Sequence, residues 1–358
     1  MKSEVDEGIF MRRCLQLAVN GKQTCSPNPM VGAVIVHEGR IIGEGWHRKA
    51  GEPHAEPNAV SSVKECELLC KSTMYVSLEP CSHYGKTPPC VDLILRWGIP
   101  RVVIGTLDPF PLVAGRGVAK LKEAGVEVVV GLEEEACRKL NASYFLYLQK
   151  NRPRIILKWA QTADGFIDSF RRVGDKKSSL KISTPFTQLL THKLRAECDA
   201  ILVGTNTALL DNPSLNVRAW SGKNPLRLVI DRQGLIPASS NLLDGSMETI
   251  VFSSVQSCRI GKTSWLKLDF EQDVLNQIIM ELHRLKIQSL LVEGGALLHE
   301  SFLQANLWDE IQVETSNQRV GSGVRAPLLE TMDCRLSSMH QYNIGGTFRE
   351  IRHYEHEH

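Results

Sequence analysis

The sequence predicts two consecutive α/β domains, on three observations. The chain has 358 residues, a length typical of two domains of ordinary size. Short apolar segments of strand length alternate with segments of helical periodicity along residues 1–150, and a second series of the same kind fills residues 151–358. The polar segment Asn151-Arg152-Pro153-Arg154 separates the two series and marks the expected domain boundary.

The first series begins with a predicted hairpin. Residues 31–36 and 41–45 are short apolar runs around the turn His37-Glu38-Gly39-Arg40, a pattern typical of paired antiparallel strands. The pattern then predicts strands over 74–78, 101–105 and 126–130, and helices over 91–97 and 117–124. Strands separated by short helices favour parallel pairing in a three-layer α/β domain.

The second series is predicted from the same kind of pattern. Strands are predicted over 155–159, 200–203, 226–230, 249–252, 289–292 and 310–314, and helices over 185–196 and 271–285. The last residues, 352–358, are rich in His and Glu, and we expect them to form a frayed end rather than a metal site.

Composition and charge exclude several classes of protein. Apolar residues make up 42% and charged residues 23% of the chain, which argues against a disordered, collagen-like or coiled-coil protein. The 42 Lys and Arg residues nearly balance the 40 Asp and Glu residues, so we expect no nucleic-acid partner. No apolar run approaches the roughly 18–20 residues of a membrane span, and the acidic N-terminus lacks a signal-peptide pattern. We therefore expect a cytoplasmic protein, with no membrane partner and with reduced cysteines.

The strongest motif combines His54-Ala55-Glu56 with Cys81, which follows a predicted strand, and Cys90, which opens a predicted helix. One imidazole and two thiolates are the three protein ligands of a zinc ion that keeps its fourth position for water. Glu56 is not needed as a ligand, and it is placed to move protons between that water and a leaving amine. The motif predicts one Zn²⁺ per chain, bound by His54, Cys81 and Cys90, and hydrolytic deamination of an aminopyrimidine with Glu56 as the catalytic residue.

Other interpretations of these residues stay open at this point. A closed structural zinc site would need a fourth ligand, and His83 is the nearest candidate. Cys66 and Cys70 are four residues apart, and this helical spacing favours packing residues over further ligands.

The loop between the two cysteine ligands carries a resemblance to a known family. Zinc deaminases usually have a Pro-Cys-x-x-Cys motif, whereas this chain has a longer loop between Cys81 and Cys90. Together with residues 27–32, 45–53, 108–109 and 113–117, this loop resembles the deaminase half of the RibD family of bifunctional riboflavin biosynthesis proteins. The resemblance implies a cytidine-deaminase-like three-layer α/β/α domain over residues 1–150.

The same resemblance implies a substrate pocket. It assigns contacts with the pyrimidine and its ribose phosphate to Asn28, His47, Lys86 and Asp108. A mobile lysine suits a phosphate, although Lys86 as a solvated surface residue is the alternative. Phe110 departs from the family, because the usual Asp-Pro-Asn-Pro motif has Asn at this position. A polar contact to the substrate is therefore missing or supplied elsewhere.

In residues 151–358 the clearest local signal is Gly294-Gly295, which follows a predicted strand and precedes a helical segment. Backbone amides in such a turn can approach a phosphate or dinucleotide closely; a purely structural turn is the alternative. A GxGxxG motif after a first strand is missing from the sequence, which argues against a Rossmann domain.

The second half as a whole resembles the reductase half of the same family. The matching segments are 157–158, 160, 164–165, 182–185, 194–196, 200–204, 211–218, 230–231 and 293–295. The resemblance implies a dihydrofolate-reductase-like α/β domain over residues 151–358 and NADPH as its cofactor. The implied reaction is reduction of the ribose of an aminouracil ribosylamine phosphate to a ribityl chain.

The resemblance also assigns two sets of residues in this half. The substrate is expected to contact Ser179, Arg195, Leu215, Arg218 and Glu293. The cofactor is expected to contact Ala160, Lys181, Thr207, Asp211, Gly295, Ala296, Leu297, Leu298, His299, Glu300 and Ser301. Lys181 replaces a Trp that is common in the family. It either helps Lys176 and Lys177 to hold an NADPH phosphate or is solvated.

These features predict a bifunctional enzyme that acts on phosphorylated pyrimidine ribosylamines. It would deaminate 2,5-diamino-6-(5-phosphoribosylamino)pyrimidin-4-one and then reduce 5-amino-6-(5-phosphoribosylamino)uracil. A homo-oligomer is expected from the resemblance alone. The alternatives are a zinc deaminase with a non-catalytic ligand-binding C-terminal domain, a deaminase of nucleosides or tRNA bases, and a structural zinc protein.

Overall fold

The chain divides into two units, Met1–Asn151 and Arg152–His358. The computed structural model describes residues 6–84, 88–111, 113–175, 179–329, 334–344 and 346–356. The division lies within the polar segment that separates the two predicted series, one residue beyond the predicted boundary. Among the described residues, no helix has both the length and the apolar character needed to span a membrane.

Helices and strands alternate through the first unit. Its helices are α1 (Gly8–Ala18), α2 (Ala55–Ser62), α3 (Cys90–Arg96), α4 (Arg116–Glu123), α5 (Glu134–Leu140) and α6 (Ala142–Lys150), with 3-10 helices at Val19–Gly21 and Cys66–Lys71. Its strands are β1 (Gly32–His37), β2 (Arg40–Trp46), β3 (Thr73–Leu78), β4 (Arg101–Thr106) and β5 (Glu127–Val130). The predicted hairpin and the three later strands are present, whereas α1, α5 and α6 were not predicted.

The strands of the first unit form a sheet in the order β2-β1-β3-β4-β5. Strands β3, β4 and β5 are parallel, as predicted from the helices between them, but β1 is antiparallel to both β2 and β3. The hairpin explains the antiparallel start. Its turn residues Glu38 and Gly39 both have positive φ, at 47° and 75°, as a two-residue hairpin turn of type I′ requires.

Apolar residues cover both faces of this sheet. On β1, Ala33 and Ile35 belong to a core with α2, α3 and α4, whereas Val34 and Val36 belong to a second core with α1 and α5. Successive side chains of a strand point to opposite faces, so a strand that is apolar throughout needs helices on both sides. The first unit is therefore a three-layer α/β/α domain.

The second unit is built around a longer sheet. Its helices are α7 (Pro185–Glu197), α8 (Thr205–Asp211), α9 (Val274–Arg284) and α10 (Ala296–Gln304). Its strands are β6 (Arg154–Gln161), β7 (Phe166–Asp168), β8 (Ala200–Val203), β9 (Leu226–Ile230), β10 (Thr249–Ser253), β11 (Cys258–Ile260), β12 (Thr263–Lys267), β13 (Ser289–Val292), β14 (Glu310–Ser316), β15 (Val324–Arg325), β16 (Cys334–Ile344) and β17 (Thr347–His356).

Parallel strands form the centre of this second sheet. Within the described residues, the order is β11-β12-β10-β9-β8-β13-β6-β14-β17-β16, and β7 pairs separately with β15. The strands from β12 to β14 in this order are parallel, and β11, β17 and β16 are antiparallel to their neighbours. Helices α9 and α10 pack on one face, and α7 and α8 lie on the other.

The C-terminal run differs from its prediction as a frayed end. Residues 352–356 belong to β17, which pairs with β14 from Glu310↔Glu355 to Ser316↔Arg349. The buried side chain of Ile351 anchors this strand. The local composition was misleading because two neighbouring strands supply the order: β14, about 40 residues away in sequence, and β16, the strand just before β17. Residues 357–358 lie outside the described part of the chain.

The helix predicted from residue 271 begins instead at Val274. Asp273 Oδ1 accepts the N–H of Asn276 at 3.0 Å. This interaction is an N-cap, which satisfies a free N–H group at the start of a helix. The acidic residue thus sets the first helical position.

Gly45 on β2 lies directly against α2. A Cβ at Gly45 would collide with the backbone nitrogen of Ala59 and stand 2.6 Å from the carbonyl oxygen of Ala55. Because backbone atoms cannot move aside as a flexible side chain can, we expect Gly45→Ala to destabilise the protein by at least about 2 kcal/mol. Thermal unfolding measures this loss. The control Ile41→Ala, on the exposed part of the same strand, is expected to cost less than about 1 kcal/mol; equal losses would contradict the packing argument.

Candidate active sites

Three side chains from separate parts of the first unit meet at the predicted zinc site. His54 immediately precedes α2, Cys81 lies in the loop after β3, and Cys90 is the first residue of α3. Their ligand atoms all lie within 4.8 Å of one another, and the described residues contain no second group of this kind. The sequence motif therefore corresponds to one cluster in space.

The separations within this cluster fit a zinc ion. His54 Nδ1 lies 3.6 Å from Cys81 Sγ and 3.4 Å from Cys90 Sγ. Tetrahedral bonds of about 2.3 Å to sulfur and about 2.0–2.1 Å to nitrogen place such atoms about 3.5 Å apart. Three ligands leave the fourth tetrahedral position for water. His83, the alternative fourth ligand, is not part of the cluster.

The backbone around Cys81 and Cys90 supports the Cys81 thiolate. The N–H of Cys90 donates to Cys81 Sγ at 3.4 Å, and the N–H of Val91 donates to the Cys81 carbonyl at 3.2 Å. The hydrogen bond between the two side chains lowers the pKa of Cys81 and raises that of Cys90, so Cys81 is the first of the two thiols to ionise. By contrast, Cys66 and Cys70 are exposed in the 3-10 helix and are not part of the metal cluster.

Glu56 lies beside the metal cluster, in the first turn of α2. Its side chain is buried and interacts with the Cys90 thiol. Burial raises the pKa of the Glu56 carboxyl. A carboxyl at this place can exchange protons with a molecule that occupies the fourth zinc position.

Asn28 and His47, two predicted substrate contacts, form a hydrogen-bonded pair. Asn28 Nδ2 donates to His47 Nε2 at 3.1 Å, and His47 Nδ1 donates to the Pro53 carbonyl at 3.1 Å. Because a carbonyl only accepts, this contact places the imidazole proton on Nδ1. Burial lowers the pKa of His47, which favours the neutral ring. The rings of His47 and His54 lie edge to face, with centroids 5.3 Å apart.

Asp108, a further predicted contact, lies in the loop after β4 and is buried. Its Oδ1 accepts the N–H of Phe110 at 2.8 Å and the hydroxyl of Tyr144 at 3.1 Å. Burial raises the pKa of this carboxyl to about 6. Lys86, the predicted phosphate contact, lies outside the described residues.

Glu79 has a role that the sequence did not reveal. Its buried carboxylate accepts four backbone N–H groups, those of Asp108, Gly115, Gly117 and Val118, at distances between 2.9 and 3.3 Å. It therefore fixes the loop after β4 to the end of β3. The available signal was an acidic residue at the end of a buried strand, but its partners are 29–39 residues away.

In the second unit, an ion pair joins two of the predicted substrate residues. Arg195 on α7 donates from Nε and Nη2 to the two carboxylate oxygens of Glu293, both at 2.7 Å. Each side chain is only 12% exposed. Burial alone would raise the pKa of the Glu293 carboxyl, but the Arg195 guanidinium outweighs that effect and the pKa is lowered.

Asn216 links this ion pair to a second arginine, Arg218, because it accepts a hydrogen bond from each arginine. Arg195 Nη1 donates to the Asn216 carbonyl at 3.2 Å, and Arg218 Nη1 donates to Asn216 Oδ1 at 3.0 Å. Arg218 is exposed, so its remaining donors face solvent. The structure thus gathers Arg195, Arg218 and Glu293 in one region.

The two other predicted substrate residues have different surroundings. Leu215 is buried in the core with a positive φ of 49°, so its side chain shapes the fold beside Asn216. Ser179 is exposed, and its contact with substrate stays a prediction.

A glycine turn lies at the carboxyl ends of β8 and β13. The N–H of Gly204 donates to the Gly294 carbonyl at 3.0 Å, and each strand leads into a helix, α8 or α10. Gly294 has a φ of +117°, a left-handed conformation that favours glycine. A Cβ on Gly295 would lie 3.3 Å from Thr207 Oγ1. This narrow turn lets the amides at the start of α10 approach a phosphate, which fits NADPH.

The predicted cofactor segment 295–301 does not lie on one surface. Within it, Leu298 and His299 are buried, whereas Leu297 is 71% exposed. Ser301 donates from Oγ to the Leu297 carbonyl at 2.8 Å. A helix with 3.6 residues per turn points successive side chains in different directions. Contact of one ligand with every side chain of the segment is therefore excluded, and the backbone of the first turn is the part suited to it.

The remaining predicted cofactor residues are dispersed. Asp211, at the end of α8, accepts from Arg171 Nη2 at 2.5 Å, and the same guanidinium pairs with Asp168. Ala160 is half-buried on β6, and Lys181 is exposed. Lys176 and Lys177 lie outside the described residues. All these cofactor contacts stay predictions.

Lys158 on β6 is a second residue whose place the sequence did not indicate. The pairing of Val292 with Leu157 puts Lys158 next to Glu293 on the neighbouring strand. Its charge contributes to lowering the pKa of Glu293, after the larger effect of Arg195. Burial, together with Lys158, lowers the pKa of His299 to about 3. The signal in the sequence was a charged residue within an apolar strand.

Comparison with protein families gives one match in each unit. Residues 5–106 match the cytidine and deoxycytidylate deaminase zinc-binding region. Residues 153–347 match the RibD C-terminal domain.

Individual relatives match across both units. The riboflavin biosynthesis protein RibD of Aquifex aeolicus is 41% identical over 332 residues, which cover 90% of each chain. RibD of Escherichia coli is 35% identical and covers 98% of this chain and 97% of its own. The crystal structure of a diaminohydroxyphosphoribosylaminopyrimidine deaminase/5-amino-6-(5-phosphoribosylamino)uracil reductase from Thermotoga maritima has a TM-score of 0.86, with 34% identity and 98% coverage of each chain.

The fold and the two sites define a zinc-dependent deaminase joined to an NADPH-dependent reductase. The chain belongs to the RibD family, and it is a bifunctional deaminase and reductase of riboflavin biosynthesis. The expected cytidine-deaminase-like and dihydrofolate-reductase-like folds are confirmed, as are the cofactors Zn²⁺ and NADPH.

The zinc cluster predicts the effect of losing one thiolate. We expect Cys90→Ser to weaken zinc binding at least about 100-fold, because a serine hydroxyl is a much poorer ligand for zinc than a thiolate. Metal analysis after dialysis would then find the metal largely lost. The control Cys70→Ser removes an exposed thiol of the same unit and should keep about one zinc per chain; full retention in Cys90→Ser would contradict this ligand set.

Proposed function

We propose that the first unit deaminates 2,5-diamino-6-(5-phosphoribosylamino)pyrimidin-4-one and that the second unit reduces 5-amino-6-(5-phosphoribosylamino)uracil. The observation that carries the first assignment is the cluster of His54, Cys81 and Cys90 with Glu56 beside it. The name of the Thermotoga maritima relative, which includes both reactions, supports the pair of substrates.

The residues of the first site divide the work of deamination. When bound, zinc activates a water molecule for attack on the ring, and NADPH supplies the reducing equivalent for the second reaction. Glu56 takes one proton from the attacking water to the ring nitrogen. It then takes a second proton, from the hydroxyl that the attack leaves on the ring carbon, to the amine, which departs as ammonia. The Asp108 carboxylate, which can only accept, matches the N–H groups of a diaminopyrimidine. Asn28 and the neutral His47, which are hydrogen-bonded to each other, form further hydrogen bonds with polar atoms of the substrate.

In the second site we assign different roles to the two arginines. Glu293 and Asn216 already occupy three of the five N–H donors of Arg195. Arg195 therefore mainly holds Glu293, which orients the opened sugar. Arg218 is exposed, and it binds the substrate phosphate through its remaining donors. Assembly into a homo-oligomer, a cytoplasmic location and the absence of a nucleic-acid partner stay predictions.

The proposed sequence of reactions is tested with purified protein, the diaminopyrimidine substrate and NADPH. Ammonia release and nicotinamide absorbance are followed in the same sample. The wild-type protein should release ammonia first and then consume NADPH. Glu56→Gln keeps the size of the side chain but removes the proton-transfer carboxylate, so it should lower the rate of ammonia release by at least about 100-fold. Both signals should then be lost.

A second substrate separates the two halves in the same experiment. When the aminouracil ribosylamine phosphate is supplied directly, Glu56→Gln should consume NADPH at the wild-type rate. Ammonia release without NADPH consumption in the wild type would favour a non-catalytic C-terminal domain. The absence of ammonia from zinc-loaded wild-type protein would show that the deaminase substrate is wrong.

The buried Asp108 predicts a pH dependence of substrate binding. Its pKa is raised to about 6, so the folded protein protonates this carboxyl while an ordinary aspartate is still ionised. Protonation removes acceptor capacity, and we expect the KM of deamination to rise as the pH falls through about 6. Asp108→Asn should have a high KM that is flat over the same range. A wild-type KM that is unchanged between about pH 7 and pH 5, roughly one unit either side of that value, would contradict the role of Asp108.

A further inference from the structure

Tyr144 is the side chain that holds the Asp108 carboxylate from outside its own loop. Its hydroxyl lies 3.1 Å from Oδ1 and 3.4 Å from Oδ2 of Asp108. Tyr144 belongs to α6, 36 residues further along the chain, so the contact is set by the tertiary fold and not by the loop. The backbone of Asp108 is fixed separately, because its N–H donates to Glu79 at 3.3 Å.

The Tyr144 hydroxyl can act only as a donor in this pair. Tyr144 is half-buried, and burial together with the neighbouring Asp108 raises the pKa of its phenol. The hydroxyl therefore keeps its proton under ordinary conditions. An ionised carboxylate has no proton to give, so the hydrogen bond runs from Tyr144 to Asp108. A hydrogen bond to a charged acceptor is stronger than one between neutral groups.

Among the described residues of the loop, one backbone donor reaches the Asp108 carboxylate, the N–H of Phe110 at 2.8 Å. The side chain of Phe110 has no polar atom. Its ring instead packs near that of His83, with centroids 5.9 Å apart. This position carries Asn in the motif that the surrounding sequence resembles, so the amide of that motif is missing at position 110.

We propose that Tyr144 is a positioning residue of the deaminase: its hydroxyl fixes the Asp108 carboxylate for the pyrimidine, in place of the polar group that Phe110 does not provide. The inference rests on the proposed role of Asp108 as a substrate contact. With an amide at position 110, the pyrimidine would have two polar contacts in this loop. With phenylalanine, Asp108 is the polar side chain that the described residues of this loop offer to the pyrimidine, so the orientation of that carboxylate matters more.

The first test is the steady-state kinetics of Tyr144→Phe with the diaminopyrimidine substrate. Loss of a hydrogen bond to a charged group should raise the KM of deamination about tenfold and change kcat by less than about twofold. The control Tyr147→Phe removes a hydroxyl one turn further along α6 and should leave the KM of deamination unchanged. Reduction of separately supplied aminouracil substrate should be unchanged in both variants, which shows that the protein is folded.

The second test asks whether positions 110 and 144 compensate for each other. Tyr144→Phe is introduced alone and together with Phe110→Asn. An amide at position 110 would give the pyrimidine a second polar contact. In the Phe110→Asn background, the KM increase caused by Tyr144→Phe should then fall from about tenfold to about twofold. Such a non-additive result indicates that the two positions are coupled. Equal KM increases in the two backgrounds would overturn the compensation.

The remaining outcomes are also decisive. An unchanged KM in Tyr144→Phe, or a fall in kcat at unchanged KM, would overturn the positioning role. If Tyr144→Phe lowers the melting temperature and both activities, Tyr144→Met repeats the comparison with another side chain that lacks a hydroxyl; an unchanged KM there overturns the proposal equally. Wild-type protein that releases no ammonia would instead reject the proposed deaminase function itself.

Discussion

Parallel pairing of neighbouring strands is the constraint on which both sites depend. The carboxyl ends of parallel strands meet at one edge of a sheet, so the loops that follow them are brought together. In the first unit, Leu78 of β3 pairs with Thr106 of β4, and the loops after these strands carry Cys81 and Asp108. In the second unit, β13 lies between β8 and β6, which places Glu293 and the glycine turn at one edge. In both units these neighbouring strands are separated in the sequence by at least one helix.

In each unit a carboxylate that follows a strand directly and is largely shielded from solvent organises this edge. Glu79 follows β3 and binds four backbone N–H groups of the neighbouring loop. Glu293 follows β13 and binds the guanidinium of Arg195. Burial of a carboxylate is unfavourable unless its oxygens are hydrogen-bonded. Each carboxylate therefore fixes the position of the groups that bind it, because moving those groups away would leave a charge unpaired away from solvent.

The sequence predicted what is encoded locally and missed what is assembled over distance. His54 and Glu56 share one turn, and Cys90 opens a helix, so their residue types and spacing suggested the metal site. Glu79 and Tyr144 carry no such signal, because their partners are about 30 residues or more away. The same reason explains β17. Its own composition resembles a frayed end, and it forms a strand because it pairs with β14, about 40 residues away in sequence, and with β16. Central apolar strands were predicted well because burial on both faces leaves a continuous apolar run.

Spare hydrogen-bonding capacity distinguishes the carboxylates that hold the fold from those that face a ligand. A carboxylate has about four acceptor positions. Glu79 has four donors, so it has no capacity left for a substrate. From the described residues, Asp108 receives one backbone N–H and the Tyr144 hydroxyl, which is shared between its oxygens. Its raised pKa follows from this incomplete satisfaction in a buried place. A bound pyrimidine that donates N–H groups would complete the set, so the same deficit that makes Asp108 easier to protonate also makes it a site for substrate.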